Sequence, residues 1–366
     1  MIYFDNAATT KMSRHALTTY EKIAENYFAN SESLHRAGTE TGYIVKLCRR
    51  QIAERLDLDP DGIVFTSGGT ESNQLGIRTL LGAPDKREIL VSPLEHASIY
   101  QLLEKISRTD GCAVRVLPID AQGHVTPDTL AAAITAHTAL IVVQAVNAVT
   151  GIRQPTAALS QVAQTHHVSL FVDAVQAMAK VPLTVAGLAG FSVSAHKFNG
   201  PKGCGFLYLS PEVETYPQFA DVFQQSGFLA GTLDVPAIAS MTTALQDALD
   251  KLPKHEQTVE RLHRELIRQL APSFKIVDNF TGYAGILGMI LPHTPGQEAA
   301  TELGRRGYAI STVSACSLRD PRPDRTLTAL QLAPQEIEHY IRISFGDENT
   351  SAEVAEFAAQ LNQFYA

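Results

Sequence analysis

Short apolar, β-branched runs alternate with stretches of helical spacing along the first half of this chain. The runs cover 63–67, 88–92, 113–117, 139–146 and 169–172, and helical spacing recurs at 74–81, 129–135 and 157–166. Strands apolar on every residue are buried on both faces. Such alternation builds an α/β fold with a mostly parallel central sheet. In such sheets ligands gather at the carboxyl ends of the strands. Further helices are predicted at 12–27, 41–57, 235–252, 257–270 and 297–303, the last ended by Gly304, with strands at 286–291 and 341–346. At 366 residues the chain exceeds what one core usually supports. We expect a large domain over 13–240 and a smaller α+β domain from 1–12 and 241–366.

Composition narrows the class. Apolar residues make up 45% and charged residues 19%, as in ordinary globular proteins. No apolar run is long enough to span a bilayer, and Met1-Ile2-Tyr3-Phe4-Asp5 is not a signal peptide. A formal charge of -8 argues against nucleic acid as a direct partner. Cys48, Cys112, Cys204 and Cys316 are scattered with no C-x-x-C spacing. That pattern predicts neither a zinc site nor a disulfide framework, and fits a reducing cytoplasm.

The chemistry-bearing residues fall at strand exits. In FSVSAHKFNGPKGCG (191–205) an alternating strand is expected to run into Ala195-His196-Lys197, and the Gly/Pro turn then stops it. Desolvation at such a place lowers an ammonium pKa and exposes a nucleophilic amine. A solvated surface lysine is the alternative. Asp173 follows the run at 169–172, where an unpaired carboxylate is costly and a protonated pyridine nitrogen would satisfy it. A helix N-cap also fits Asp173. Together, Lys197 and Asp173 are the pair that pyridoxal phosphate enzymes need.

Other sites carry weaker signals. Gly68-Gly69-Thr70 turns a strand into a helix N-terminus, a cradle suited to phosphate. It is neither a Walker A loop nor a Rossmann fingerprint. His96 stands at a strand exit, able to stack on a ring or move a proton. Ala7 and Ala8 let backbone approach a ligand closely. Arg342, the single arginine in a predicted strand, suits a planar carboxylate, an exposed strand position being the alternative. Cys316 sits among small polar residues beside Arg319 and Arg322, a setting for an accessible thiolate. Cys48 falls within a predicted helix, and Cys204 lies in the turn after Lys197.

Taken in order, these pieces resemble the cysteine desulfurases, a branch of the class V aminotransferase group of fold type I pyridoxal phosphate enzymes. The resemblance rests on YFDNAATT (3–10), N-x-x-S-L-H (30–35), TSGGTES (66–72), EHAS (95–98), VDAVQ (172–176), SAHKFNGPKG (194–203), AGT (230–232), SACS (314–317) and RISFG (342–346). It implies that Lys197 is the Schiff-base lysine and Asp173 the partner of the pyridinium nitrogen. Gln176 is implied at the phenolic oxygen, and His96 over the ring as a proton-transfer residue. Gly69, Thr70, Ser194 and His196 are implied at the phosphate, and Thr232 at the phosphate of the other subunit of a homodimer. Arg342 and Asn30 would take the carboxylate of L-cysteine. Cys316 would attack the substrate sulfur, keep it as a persulfide and release alanine, before transfer to a sulfur-acceptor protein. That acceptor would be an iron–sulfur scaffold, a tRNA-thiolation enzyme or another carrier.

Three departures qualify the resemblance. In AVNAVTG (145–151) Ala148 takes the place of a family asparagine that contacts cofactor and substrate, unless a one-residue shift puts Asn147 there. Gln224-Gln225-Ser226-Gly227-Phe228-Leu229 replaces a glycine-rich, charged stretch expected near the dimer interface. The sequence ends at Ala366 without the longer tail that some relatives use for scaffold proteins. A class V lyase or aminotransferase with the same cofactor site is the competing expectation.

Overall fold

Seven strands form the central sheet: β2 (Ile63–Thr66), β3 (Glu88–Val91), β4 (Ala113–Val116), β5 (Thr138–Gln144), β6 (Ser169–Asp173), β7 (Gly190–Ser194) and β8 (Gly205–Leu209). A two-residue β1 (Ile2–Tyr3) precedes them in the chain. The structure is a computed structural model and describes residues 1–82, 87–217, 219, 221–277, 282–313 and 323–366. Sheet order is β2-β8-β7-β6-β5-β3-β4. Only β8 runs against its neighbours; β3 with β4 and β5, β5 with β6, and β6 with β7 pair in parallel. The expected mostly parallel α/β sheet is therefore present.

The sequence explains why the middle of this sheet is dry. Strands β6 and β7 carry almost no exposed residue, because helices cover both faces and leave no polar side to alternate. The helix Gly69–Leu80 lies close against it: a Cβ on Gly76 would meet Phe171 at 2.4 Å. Register then fixes the site, since Asp173 at the end of β6 pairs with Ser192 of β7.

A second sheet is antiparallel, with β9 (Lys275–Val277), β10 (Ile286–Ile290) and β12 (Tyr340–Ser344) in the order β12-β10-β9. The chain's first residues join this region: β1 pairs in parallel with β11 (Tyr308–Ala309), and Asp5 bridges to Ser344. Phe4 seals the junction against Phe345 and Phe357, with centroids 5.7 and 5.1 Å away.

Two expectations change. The segments 235–252 and 257–270 form one helix, Val235–Gln269, with Pro253 inside it. Proline removes one backbone donor and crowds the preceding turn. Burial of Ile238, Met241 and Leu245 before it, and of Val259, Leu262 and Leu266 after it, holds both halves on one axis. Strand β7 stops at Ser194, and Ala195–Lys197 is a short 3-10 turn. Lys197 thus stands just beyond the strand end. No helix among the described residues is long and apolar enough to cross a membrane.

Candidate active site

The Lys197 turn is stitched to the N-terminal segment. Lys197 Nζ donates to the carbonyls of Ala7 at 2.6 Å and Ala8 at 2.9 Å. The Ala7 carbonyl also accepts from Gln176 Nε2 at 2.7 Å. Thr10 returns the tie, its N–H and hydroxyl both donating to the His196 carbonyl at 2.8 Å. Thr9 Oγ1 meets His196 Nδ1 at 3.0 Å. Burial, then the ammonium groups of Lys197, Lys180 and Lys202, lower the His196 pKa to about 4, so its imidazole is neutral at ordinary pH. The alanines of YFDNAATT thus act through backbone oxygens. Small side chains let that backbone come close, but residue type alone did not say what it would touch.

Asp173 is buried at the carboxyl end of β6. Its Oδ2 accepts from Asn73 Nδ2 at 2.8 Å and its Oδ1 from Val175 N–H at 2.9 Å. Among the described residues no cationic side chain forms an ion pair with it. Asn73 also donates to Ser98 Oγ at 3.3 Å, and Ser98 Oγ meets His96 Nδ1 at 2.9 Å. His96 is the N-cap of the helix Ala97–Asp110, Nδ1 accepting from Ser98 N–H at 3.2 Å. With Nδ1 committed as acceptor, the neutral ring carries its proton on Nε2. Asp173, Asn73, Ser98 and His96 form one hydrogen-bonded chain. Asn73 is the member that sequence reading missed; its place one turn into the helix after TSGG is the signal that could have found it.

Gly69 opens the helix Gly69–Leu80 beside Val175, where a Cβ on Gly69 would meet Val175 Cγ2 at 2.6 Å. Ser194 Oγ lies 3.3 Å from where a Cβ on Gly68 would stand. Thr70 is exposed at the same helix start. A helix N-terminus, a buried serine and a neutral histidine therefore border one end of the site, and the buried Asp173 carboxylate borders another. That donor set fits pyridoxal phosphate, whose phosphate favours a helix N-terminus and whose pyridinium favours a carboxylate.

Arg342 is 4% exposed in the middle of β12. Its guanidinium donates to Asp5 Oδ1 and to the Ala148 carbonyl, both at 2.8 Å. Its Nε has no acceptor among the described residues. The backbone of Arg342 exchanges hydrogen bonds with Ser311, at 2.7 and 3.2 Å. Ser311 leads towards Cys316, which lies outside the described residues.

Asn147 is bound up in hydrogen bonds within the chain. It is 2% exposed, and its Nδ2 donates to the Leu94 carbonyl at 3.0 Å and to Thr326 Oγ1 at 3.3 Å. Its Oδ1 accepts from the N–H groups of Val149 and Thr150 and from the Thr150 hydroxyl. Its Oδ1 serves the 147–151 turn and its Nδ2 ties that turn to Leu94 and Thr326. Asn30 is exposed and uses Oδ1 to accept from Glu32 N–H at 3.0 Å. Thr232 is also exposed. No hydrogen bond or ion pair joins either to the cluster among the described residues.

The stretch 224–229 has its own structural work. Gln225, at φ 45°, places its amide against β2, accepting from Phe65 N–H at 2.7 Å and donating to the Phe65 carbonyl at 3.0 Å. Gln224 Oε1 accepts from Gly231 N–H at 2.8 Å, which fixes the approach to Thr232. Of the cysteines, Cys48, Cys112 and Cys204 are buried. Burial raises all three thiol pKa values, to about 11 for Cys48 and about 12 for Cys204, where Asp234 and Cys48 add to the effect.

Residues 2–357 match the family described as Aminotransferase class-V, and the chain belongs to that family. Within it, the chain groups with the cysteine desulfurases. It is 35% identical over 364 residues to the NifS protein of Bacillus subtilis (strain 168), covering 97% of this chain and 92% of that one. It is 31% identical to a cysteine desulfurase of Sinorhizobium fredii (strain NBRC 101917 / NGR234), covering 96% and 93%. A solved NifS-like protein superposes with a TM-score of 0.92 at 27% identity, over 99% of this chain and 98% of that one. The structure of SspA in complex with cysteine superposes with a TM-score of 0.82 at 26% identity, over 96% of this chain and all of that one.

Proposed function

We propose that this protein removes sulfur from L-cysteine with pyridoxal phosphate, giving L-alanine and a persulfide on Cys316. The family carries the cofactor assignment, and the buried Asp173, which forms no ion pair among the described residues, supports it here together with the Lys197 turn. When bound, the cofactor supplies an electron sink and covalent capture of the substrate amine at the position of Lys197. This chain's residues do the rest. Asp173 would hold a proton on the ring nitrogen, Gln176 would contact the phenolic oxygen, and Gly69, Thr70, Ser194 and His196 would take the phosphate. His96, protonated at Nε2, is placed to move a proton.

The observation that carries the desulfurase reading concerns the segment around Cys316. It is entered at Ser311, hydrogen-bonded to Arg342, and left at Thr326, hydrogen-bonded to Asn147. The first anchor bonds the Arg342 backbone, and the second bonds Asn147, whose neighbour Ala148 accepts from the Arg342 guanidinium, the group we assign with Asn30 to the substrate carboxylate. The three other cysteines are buried with raised thiol pKa values. In the reaction the Cys316 thiolate attacks the substrate sulfur, the C–S bond breaks, and the carbon takes a proton. Cysteine plus enzyme thiol becomes alanine plus enzyme persulfide, with no external oxidant. The persulfide then passes to an acceptor protein. A cytoplasmic homodimer, with Thr232 reaching the partner's phosphate site, and the division into 13–240 and 1–12 with 241–366 complete the proposal.

One observation keeps a lyase or aminotransferase in view: at position 148 only a backbone carbonyl meets Arg342. Mass spectrometry of the peptide containing Cys316 after cysteine addition, with alanine measured in parallel, separates the readings. A sulfur increment on Cys316 and alanine release, both lost in Cys316→Ala, are expected. Undiminished alanine release by that variant would overturn the proposal.

A further inference from the structure

Lys180 is the buried cation that the reaction as described does not use. It is 6% exposed, and the one hydrogen bond its Nζ makes among the described residues goes to Gln176 Oε1, at 2.8 Å. The Tyr283 ring lies 5.9 Å from Nζ. No carboxylate forms an ion pair with it among the described residues. The charged and titratable groups around it are Lys197, Arg342 and His196, with Tyr283 alongside. Burial first, then the charges of Lys197 and Arg342, push its pKa well below the usual lysine range. A lysine enclosed without a counter-ion is costly, and an apolar residue would fill the space at less cost. Something must favour the donor at its tip.

Gln176 supplies the reason. A primary amide has two faces, and packing alone does not say which end points where. With Oε1 held by Lys180, Nε2 turns to the Ala7 carbonyl, which Lys197 Nζ also contacts. Lys180 and Lys197 are thus joined through Gln176 and one backbone oxygen. We infer that Lys180 is a positioning residue: it fixes the Gln176 amide so that the site is offered an N–H donor and not a carbonyl oxygen. This inference rests on the proposed function, which sets Gln176 at the phenolic oxygen of pyridoxal phosphate. An N–H there stabilises the ionised oxygen, whereas a carbonyl would repel it.

The test is a pH titration of the visible absorption of the pyridoxal-phosphate-loaded protein, comparing wild type, Lys180→Met, Gln176→Leu and the double variant. Both single variants are expected to raise the titration midpoint by about one pH unit, the size of one hydrogen bond to a charged group. The double variant is expected to match Gln176→Leu alone, because Lys180 acts through that amide. Lys180→Gln, which keeps a donor without the charge, is expected to stay within half of the Lys180→Met shift. It also serves if Lys180→Met does not fold. An unmoved midpoint in Lys180→Met, or a double variant shifted by the sum of the singles, overturns the inference. For Lys180→Gln, a shift as large as that of Gln176→Leu does the same. A wild type that gains no visible band on loading instead overturns the proposed function, which keeps the two failures apart.

Discussion

The carboxylate of Asp5 and the guanidinium of Arg342 meet at 2.8 Å, joining the start of the chain to its last strand. The pair is unequal in its surroundings. The Arg342 side chain is 5% exposed and that of Asp5 is 19% exposed. Removing the acid strands a buried cation, whereas removing the cation leaves an acid that water reaches. Asp5→Ala is therefore expected to cost about 3 kcal/mol of stability, and Arg342→Met less than half of that. In the Arg342→Met background, Asp5→Ala is expected to add little. Urea unfolding of the four proteins measures this, and equal losses from the two single variants would refute it.

Glu95 presents the opposite case, a buried acid with no ion pair among the described residues. Its Oε1 accepts from Gln144 N–H at 2.7 Å, and Ser92 lies near its carboxyl. Burial, and then the charge of Asp173, raise its pKa well above the ordinary carboxylate value of 4.5. The folded state therefore keeps a proton that the unfolded chain releases above its own pKa. Stability from this group is full below that value and falls as pH rises towards the folded pKa. Glu95→Gln imitates the protonated form and has no such slope. Its melting temperature is expected to gain on wild type steadily between about pH 5 and pH 8. A difference that stays flat across that range would place Glu95 in the ordinary titration range.

Much of this site was legible because its chemistry sits at strand ends. Uninterrupted apolar runs announced a parallel sheet, and that sheet's register puts Asp173 beside the strand leading to Lys197. What sequence could not supply was direction. Asn147 occupied a motif position that invited a ligand contact, yet its Oδ1 accepts from two N–H groups of its own turn and its Nδ2 donates to Leu94 and Thr326. Ala7 showed no polar side chain, yet its carbonyl is where Lys197 and Gln176 converge. The segments 235–252 and 257–270 join into one helix across Pro253, because packing on both sides holds it. Such outcomes depend on contacts between segments distant in the chain, which local pattern does not encode.

Thiol reactivity gives a direct comparison among the cysteines. Cys204 lies in the Lys197 turn, but its Sγ packs 3.8 Å from Met241 Sδ and burial pushes its thiol up to about 12. Cys48 is raised to about 11 for the same leading reason. A thiolate is the reacting species, so these two are expected to resist alkylation of the native protein near pH 8. Brief iodoacetamide treatment followed by peptide mapping is expected to label Cys316 first. Cys204→Ala is expected to leave the persulfide yield at Cys316 unchanged. Faster labelling of Cys204 than of Cys316 would refute this ordering.

Gln225 offers a test on the backbone itself. Strand β2 lies at an edge of the central sheet, and the Gln225 amide satisfies both the N–H and the carbonyl of Phe65 there. A glutamine side chain thus stands in for one residue of a further strand. Phe65 is itself 1% exposed, so water reaches these groups poorly once the amide is gone. Gln225→Ala is expected to cost about 1–3 kcal/mol, the penalty for leaving buried polar groups unpaired. Gln225→Glu keeps an acceptor for the Phe65 N–H, but it loses the donor to the Phe65 carbonyl and sets a negative charge against that oxygen. It is expected to be no better than alanine. Hydrogen exchange localises the effect, because the Phe65 amide is expected to exchange faster in Gln225→Ala while amides of β6 keep their protection. Uniformly faster exchange across the sheet, or none at Phe65, would show that Gln225 does not close this edge.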